Sequence, residues 1–260
     1  MNCLLLPAAD ITANIAQIHD TGQIKHIKDI LGATVGDTLK IGQLEGNLGT
    51  AIIAEMTAEK IQLGDVKLTN APPKKLDVTV ILALPRPKVL RRLIMDMTAL
   101  GVRDIILINS YRTQKSYWQS PLLARLNEFV LEGLQQGVDT IAPRIRLQKR
   151  FKPFVEDELA SLITGAAIVA HPYSELSLKQ YFNNLNAVHN DHTVQLNGLC
   201  KMSKPILPSV VCIGAEGGWI DYEIDLLTAH GCLSVNIGSR ILRTEAAVNV
   251  ILGQWLLHSN

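Results

Sequence analysis

Hydrophobic positions fall into two regimes along the chain. Between residues 35 and 69 the apolar stretches are short and broken by turn chemistry. Val35-Gly36-Asp37-Thr38 precedes the alternating Thr38-Leu39-Lys40-Ile41, and Gly46-Asn47-Leu48-Gly49 precedes Thr50-Ala51-Ile52-Ile53-Ala54. This predicts a small β-rich domain. The consecutive prolines of Pro72-Pro73-Lys74-Lys75 disfavour regular structure on both sides and read as a linker. Beyond it the runs lengthen and alternate in type. Strands are expected at Leu76–Leu84, Asp104–Asn109, Ala166–Ala170, Ser209–Gly214 and Leu233–Ile237. Helices are expected from Arg86-Pro87 to Gly101, from Ser120-Pro121 to near Gly137, from Asp221 to His230 and from Ile241 to Leu257. Strands separated by helices of this length predict a parallel sheet covered on both faces. The expectation is an α/β protein of two domains, a β domain over residues 1–72 and an α/β domain over 73–260.

Composition narrows the function classes. With 47% apolar and 19% charged residues the chain is an ordinary globular protein. No apolar run reaches the roughly 18 residues of a membrane-spanning helix, and Met1-Asn2-Cys3-Leu4-Leu5-Leu6-Pro7 lacks the basic start of a secretory signal. A cytoplasmic protein with no membrane partner is expected. Cys3, Cys200, Cys212 and Cys232 form no C-x-x-C pair, and His189-x-x-His192 has no third ligand nearby, so no metal site is expected. The net charge of +1 conceals an asymmetry. Residues 74–152 carry 15 Lys/Arg against 6 Asp/Glu, a net +9, whereas residues 1–73 carry −3 and 153–260 carry −5. A basic third of that size is either a phosphate-binding face or a set of solvated charges that folding disperses.

Open α/β sheets bind ligands in loops beyond the carboxyl ends of their strands, and two such loops are unusual. In Val211-Cys212-Ile213-Gly214-Ala215-Glu216-Gly217-Gly218-Trp219-Ile220-Asp221, three glycines follow an apolar strand and Asp221 is placed to cap the next helix. On spacing alone this is equally a tight turn. It matches neither the G-x-G-x-x-G nor the Walker pattern, which disfavours dehydrogenase and nucleotide-hydrolase chemistry. In Val235-Asn236-Ile237-Gly238-Ser239-Arg240-Ile241-Leu242-Arg243-Thr244-Glu245-Ala246-Ala247, two arginines stand where a buried helix would start apolar. Arg240 and Arg243 either pair with Glu216 and Glu245 or meet RNA phosphate or a base.

Together, Ile-Gly-Ala-Glu-Gly-Gly and the later Ile-Gly-Ser-Arg-Ile-Leu-Arg-Thr-Glu-Ala-Ala closely resemble the paired signature of the 16S ribosomal RNA uracil(1498)-N3 methyltransferases, the small-subunit methyltransferase E family of the SPOUT superfamily. His26-Ile27-Lys28-Asp29-Ile30-Leu31 with Val35-Gly36-Asp37 is similar to that family's PUA-like β domain. Leu82-Ala83-Leu84-Pro85, Thr98-Ala99-Leu100-Gly101-Val102 and Ser110-Tyr111-Arg112 are similar to the opening of its methyltransferase domain. The resemblance implies a C-terminal SPOUT α/β domain with a deep trefoil knot, an N-terminal PUA-like β-barrel and a homodimer. It implies S-adenosyl-L-methionine as cofactor and the ribosomal RNA of the small ribosomal subunit as substrate, methylated at N3 of a uridine. Carried over position by position, the cofactor residues are Ala170, His171 and Pro172, then Ile213, Gly214, Glu216, Gly217 and Gly218, then Ile237, Gly238, Ile241, Leu242 and Arg243. Chemistry asks for a proton acceptor at the uracil nitrogen, Glu216 or Glu245, and for a cation against the developing charge, Arg240. Arg86, Lys88, Arg91, Arg112 and Lys115 of the basic third are the candidate RNA contacts.

Several positions depart from the family pattern. Gly32 and Asp139 stand where the family has arginine, Ala99 where it has glutamate, Ala215 where it has proline and Ala246 where it has threonine. These changes leave the cofactor loops close to intact and fall more heavily on the expected RNA face. They keep a second expectation in play, a non-catalytic RNA-binding or ribosome-assembly protein with the same fold. Cofactor binding and methyl transfer separate the two.

Overall fold

The computed structural model describes residues 2–183 and 207–258. His189, His192 and Cys200 lie outside the described residues. The chain forms two compact units, Met1–Lys74 with Asn127–Ala142, and Lys75–Leu126 with Pro143–Asn260. The architecture is mixed α/β with two six-stranded sheets.

In the first unit, β1 (Leu4–Leu6), β2 (Ile11–Thr12), β3 (Ile15–Ile18), β4 (Thr38–Gln43), β5 (Leu48–Met56) and β6 (Ile61–Asn70) pair in the order β1-β4-β5-β6-β3-β2. Only β1 on β4 is parallel. The period-two pattern sets the core, because Leu39 and Ile41, Ala51 and Ile53, and Ile61 and Leu63 all point to one buried face. Ile24 of α1 (Thr21–Lys25) and Ile27 of the π-turn that follows close that core. Gly32 ends this turn at φ +60. A short, nearly all-apolar β1 carries no alternation to mark it as a strand. The helix expected from Ser120 is interrupted: Pro121–Arg125 is a 3-10 turn, and α-helix begins only at α3 (Leu126–Gly137). Asp139, buried beyond its end, accepts the Ile141 N–H at 3.0 Å. Thr140 donates its hydroxyl to the Gly46 carbonyl at 2.5 Å.

The second unit is built on β7 (Leu76–Ala83), β8 (Val102–Ile108), β9 (Arg144–Gln148), β10 (Ala167–Ala170), β11 (Val210–Ile213) and β12 (Cys232–Val235). All six pair in parallel, in the order β12-β10-β11-β7-β8-β9. Ile81 and Ala83 face one core with Phe151, Phe154 and Leu227, and the intervening Val80 and Leu82 are equally buried on the opposite face. That two-sided burial explains the unbroken apolar runs. Helix α2 (Pro87–Ala99) packs on β8 and on the C-terminal helix α8 (Thr244–His258), burying Leu90, Leu93, Ile94 and Met97 at helical spacing. On the other face lie α4 (Phe151–Asp157), α5 (Leu159–Leu162) and α7 (Asp221–Ala229), with residues 178–183 forming α6 between them in sequence. The last helix, α8 (Thr244–His258), reaches β11. Cys212 and Cys232 bury their thiols 4.0 Å apart, and the bond between them together with burial pushes the Cys212 thiol well above its ordinary range. No helix among the described residues is long and apolar enough to cross a membrane.

Candidate active site

Three loops leave the carboxyl ends of the adjacent strands β10, β11 and β12 and line one cleft. From the first come Ala170, His171, Pro172 and Tyr173; from the second Ile213, Gly214, Ala215, Glu216, Gly217, Gly218 and Trp219. From the third come Ile237, Arg240, Ile241 and Leu242, and Thr244 and Ala247 follow on α8. Gly238, Arg243 and Glu245 are not in the lining. The first and third loops are stitched together, because Asn236 Nδ2 donates to the Ser174 carbonyl at 2.7 Å and the His171 N–H to the Val235 carbonyl at 2.9 Å. Thr244 Oγ1 donates to the Gly214 carbonyl at 3.4 Å, tying the start of α8 to the second loop.

Local backbone dictates the glycines of the second loop. A Cβ on Gly214 would stand 2.8 Å from Gly218 Cα and 3.1 Å from the Trp219 nitrogen, so the loop folds back on itself there. Gly218 takes φ +69, which side chains rarely adopt. Two expectations about helix starts change. Asp221 is the first residue of α7 and not its cap; buried Glu223 accepts the Ile220 N–H at 3.0 Å and, with its other oxygen, the Tyr111 N–H at 2.8 Å. One carboxylate thereby fixes both the helix start and the loop after β8. Residues 238–243 stay outside α8, which starts at Thr244, so Arg240 and Arg243 sit on an exposed loop. Among the described residues neither guanidinium has a carboxylate partner. The pairing with Glu216 or Glu245 is therefore not formed.

Glu216 instead accepts from the Arg86 backbone N–H, at 3.1 and 3.3 Å to its two oxygens, where α2 begins. A carboxylate at a helix amino terminus answers both its unpaired N–H groups and its dipole. Arg112, expected as a phosphate contact, lines the cleft and donates its guanidinium to the Gly217 carbonyl. The basic third divides on folding. Arg103 and Arg144 converge on Asp104 and Arg146 pairs with Glu158, while Arg86, Lys88, Arg91, Arg112 and Lys115 are exposed. The residues assigned from the sequence leave out Tyr173, Ala215, Trp219, Thr244 and Ala247 of the lining, all but Tyr173 lying inside the two loops singled out there.

Burial holds the His171 imidazole below its ordinary value; Asp221 works against that shift and Arg112 adds to it. The unfolded chain therefore takes up this proton first as pH falls. Stability contributed by neutral His171 is present above about pH 6.5 and is lost below it. The thermal midpoint is expected to drop as pH is lowered from 7.5 to 5.5, and His171→Gln to shrink that drop. Melts across this range check it, and an identical pH dependence in the variant would refute it. Among the described residues no group of three His, Cys, Asp or Glu side chains could hold a metal ion.

Comparison with known proteins gives this cleft a context. The chain is 27% identical over 224 residues to ribosomal RNA small subunit methyltransferase E of Treponema pallidum, covering 85% of this chain and 77% of that one. It is 23% identical over 253 residues to ribosomal RNA small subunit methyltransferase E 1 of Borreliella burgdorferi, covering 95% and 94%. Its fold superposes on a ribosomal RNA small subunit methyltransferase E from Neisseria gonorrhoeae solved with S-adenosyl methionine, with TM-score 0.67, 18% identity and coverage of 99% and 97%. A Legionella pneumophila methyltransferase solved with bound SAM gives TM-score 0.71 at 17% identity, covering 98% and 97%. The profile of the RNA methyltransferase domain matches residues 72–256, which takes in the whole parallel sheet and all three cleft loops, and the chain belongs to that RNA methyltransferase family.

Proposed function

We propose that the protein uses S-adenosylmethionine to methylate the ribosomal RNA of the small ribosomal subunit, at N3 of a uridine. The observation that carries this is the convergence of three strand-end loops on one cleft with aliphatic walls and an exposed arginine at its edge. The cleft suits the cofactor. Ile213, Ile237, Ile241 and Leu242 offer an apolar surface to an adenine, and the backbone around Gly214 and Gly218 offers polar groups unscreened by side chains. Glu216 is the acidic side chain of the lining, a match for a cationic sulfur. When bound, the cofactor supplies a methyl group already activated by its sulfonium. The chain's own task is to orient the uracil and to ease proton loss from its weakly acidic imide. Arg240 meets the charge that develops on the uracil oxygens. Glu216 or Glu245 accepts the proton, directly or through water, and Glu216 also ties the second loop to the start of α2.

The finer architecture belongs to the same reading. We assign the first unit as a PUA-like barrel that grips RNA and the second as a SPOUT domain whose C-terminal segment threads a trefoil knot. The placement of β11 between β10 and β7, with β12 outside β10, supports this. A cytoplasmic homodimer is the expected form, supported by apolar Val250, Leu256 and Leu257 exposed on α8.

Labelled S-adenosylmethionine incubated with naked RNA, small subunits and assembly intermediates tests the function, and mass mapping of the product locates the base. Transfer to none of them would favour the non-catalytic binding protein. RNA affinity is also expected to depend on salt. If about four phosphates are neutralised by residues such as Arg86, Lys88 and Lys115, the log of affinity falls with the log of salt at a slope of roughly −3 to −4. Binding that stays flat between low and moderate salt would show those charges to be only solvated.

A further inference from the structure

Of the five tyrosines in the chain, three are exposed, and each lies in or next to an element that frames the cleft. Tyr111 is 79% exposed, Tyr173 75% and Tyr222 52%. Tyr173 lines the cleft beside His171, ring against ring edge at 5.5 Å. Tyr111 directly precedes Arg112, which holds the Gly217 carbonyl, and Tyr222 directly follows Asp221. The Tyr111 N–H bonds Glu223, the residue after Tyr222, so Tyr111 and the start of α7 are held together beside the second loop, while Tyr173 belongs to the first loop.

The rings are loose but their backbones are pinned. Under Tyr111, Glu223 takes the Tyr111 N–H at 2.8 Å, and Thr113 bonds Ser110 Oγ at 3.1 Å and the Leu84 carbonyl at 3.2 Å. Beyond Tyr173, the Ser174 hydroxyl meets that of Ser234 at 2.5 Å, and the Ser174 carbonyl accepts from Asn236. Tyr222 lies in the first turn of α7, which Glu223 caps. A protein gains little in its own core from an exposed ring on a rigid support. It gains a flat face held ready for another flat face, without the entropy of ordering a loop on binding.

We propose that Tyr111, Tyr173 and Tyr222 form a stacking platform at the cleft mouth for unpaired nucleobases, so that the substrate is a single-stranded RNA segment whose bases are splayed around the target. This rests on the function proposed above and names the form of RNA it requires. Bases in a duplex are stacked on one another and cannot offer their faces, whereas unpaired bases stack readily on aromatic side chains.

The test measures anisotropy of a labelled, unpaired uridine-containing oligoribonucleotide and of the same strand annealed to its complement. Tyr111→Ala and Tyr222→Ala should each weaken the unpaired strand roughly tenfold and leave the duplex unaffected. Tyr111→Phe, Tyr173→Phe and Tyr222→Phe keep the ring and should bind as the wild type. Alanine variants that retain full affinity for the unpaired strand would overturn the platform, as would phenylalanine variants as weak as alanine. So would alanine variants whose only change is a different sedimenting mass, which would make the rings a protein contact. Titration of the wild type with S-adenosylhomocysteine runs alongside. Its failure would sink the methyltransferase reading while a ring-dependent preference for unpaired RNA still stood.

Discussion

A Gly214→Ala variant is expected to lose affinity for S-adenosylhomocysteine by roughly ten- to a hundredfold, while Gly217→Ala, three residues on, loses little. The difference lies in what a new methyl group meets. At Gly214 its three nearest neighbours are backbone atoms, Gly218 Cα at 2.8 Å, Gly218 carbonyl carbon at 3.0 Å and Trp219 nitrogen at 3.1 Å. None can move without reshaping the loop, whose Gly218 already sits at φ +69. Overpacking of this kind costs about 1–3 kcal/mol, which read out as binding is the stated range. At Gly217 the neighbours are Arg112 Cδ at 3.0 Å and Cβ at 3.1 Å, side-chain atoms of an exposed loop residue that need give by only a few tenths of an ångström. Calorimetric titration of both variants, with melting curves to show that each is folded, decides the matter. Equal affinities for the two would mean that the second loop does not shape the cofactor cleft.

Much of this site was legible because its signals are local. An apolar strand followed by glycines, repeated about twenty residues later with a Gly-Ser-Arg start, marks two strand ends, and parallel pairing through β10 brings them side by side. The apolar runs likewise mark five of the six strands from Leu76 onward to within a few residues. What was not legible depends on partners distant in sequence. Glu216 reads as a free carboxylate until the chain folds 130 positions back to bring it the Arg86 N–H. Glu223 reads as a helix-start acid, yet it also holds the Tyr111 amide, 112 positions away. Strand β9, Arg144-Ile145-Arg146-Leu147-Gln148, has the alternation of a strand, but its charges mask it; they answer Asp104 and Glu158 at the sheet edge. The long helix expected from Ser120 broke because Pro121–Arg125 winds as a tighter turn, and the chain passes from one compact unit to the other at Leu126. Periodicity cannot see such a passage.

Arg240→Ala is expected to cut turnover by about a hundredfold or more while leaving affinity for S-adenosylhomocysteine nearly unchanged. The argument begins with an arginine that is missing. The family segment matching Gln135–Thr140 carries a permanent cation, and this chain has Asp139 there, buried and accepting the Ile141 N–H at 3.0 Å beyond the end of α3. That carboxylate serves local structure and supplies no positive charge to a substrate. The cation must come from elsewhere, and the cleft lining holds two candidates, Arg112 and Arg240. Arg112 is already committed to the Gly217 carbonyl, against which its side chain packs. Arg240 sits exposed on the loop between Gly238 and Thr244 and, among the described residues, pairs with no carboxylate. An exposed guanidinium contributes little to holding the loop, so its removal should spare the cofactor. In the proposed reaction it should cost most where negative charge would grow on the uracil oxygens, which is a loss in kcat with little change in binding. Arg240→Lys should recover only part of the rate, since an ammonium lacks the planar two-pronged donor geometry. Equal losses of turnover and cofactor affinity in Arg240→Ala would instead make this residue part of the cofactor site and return the search for the missing cation to Arg112.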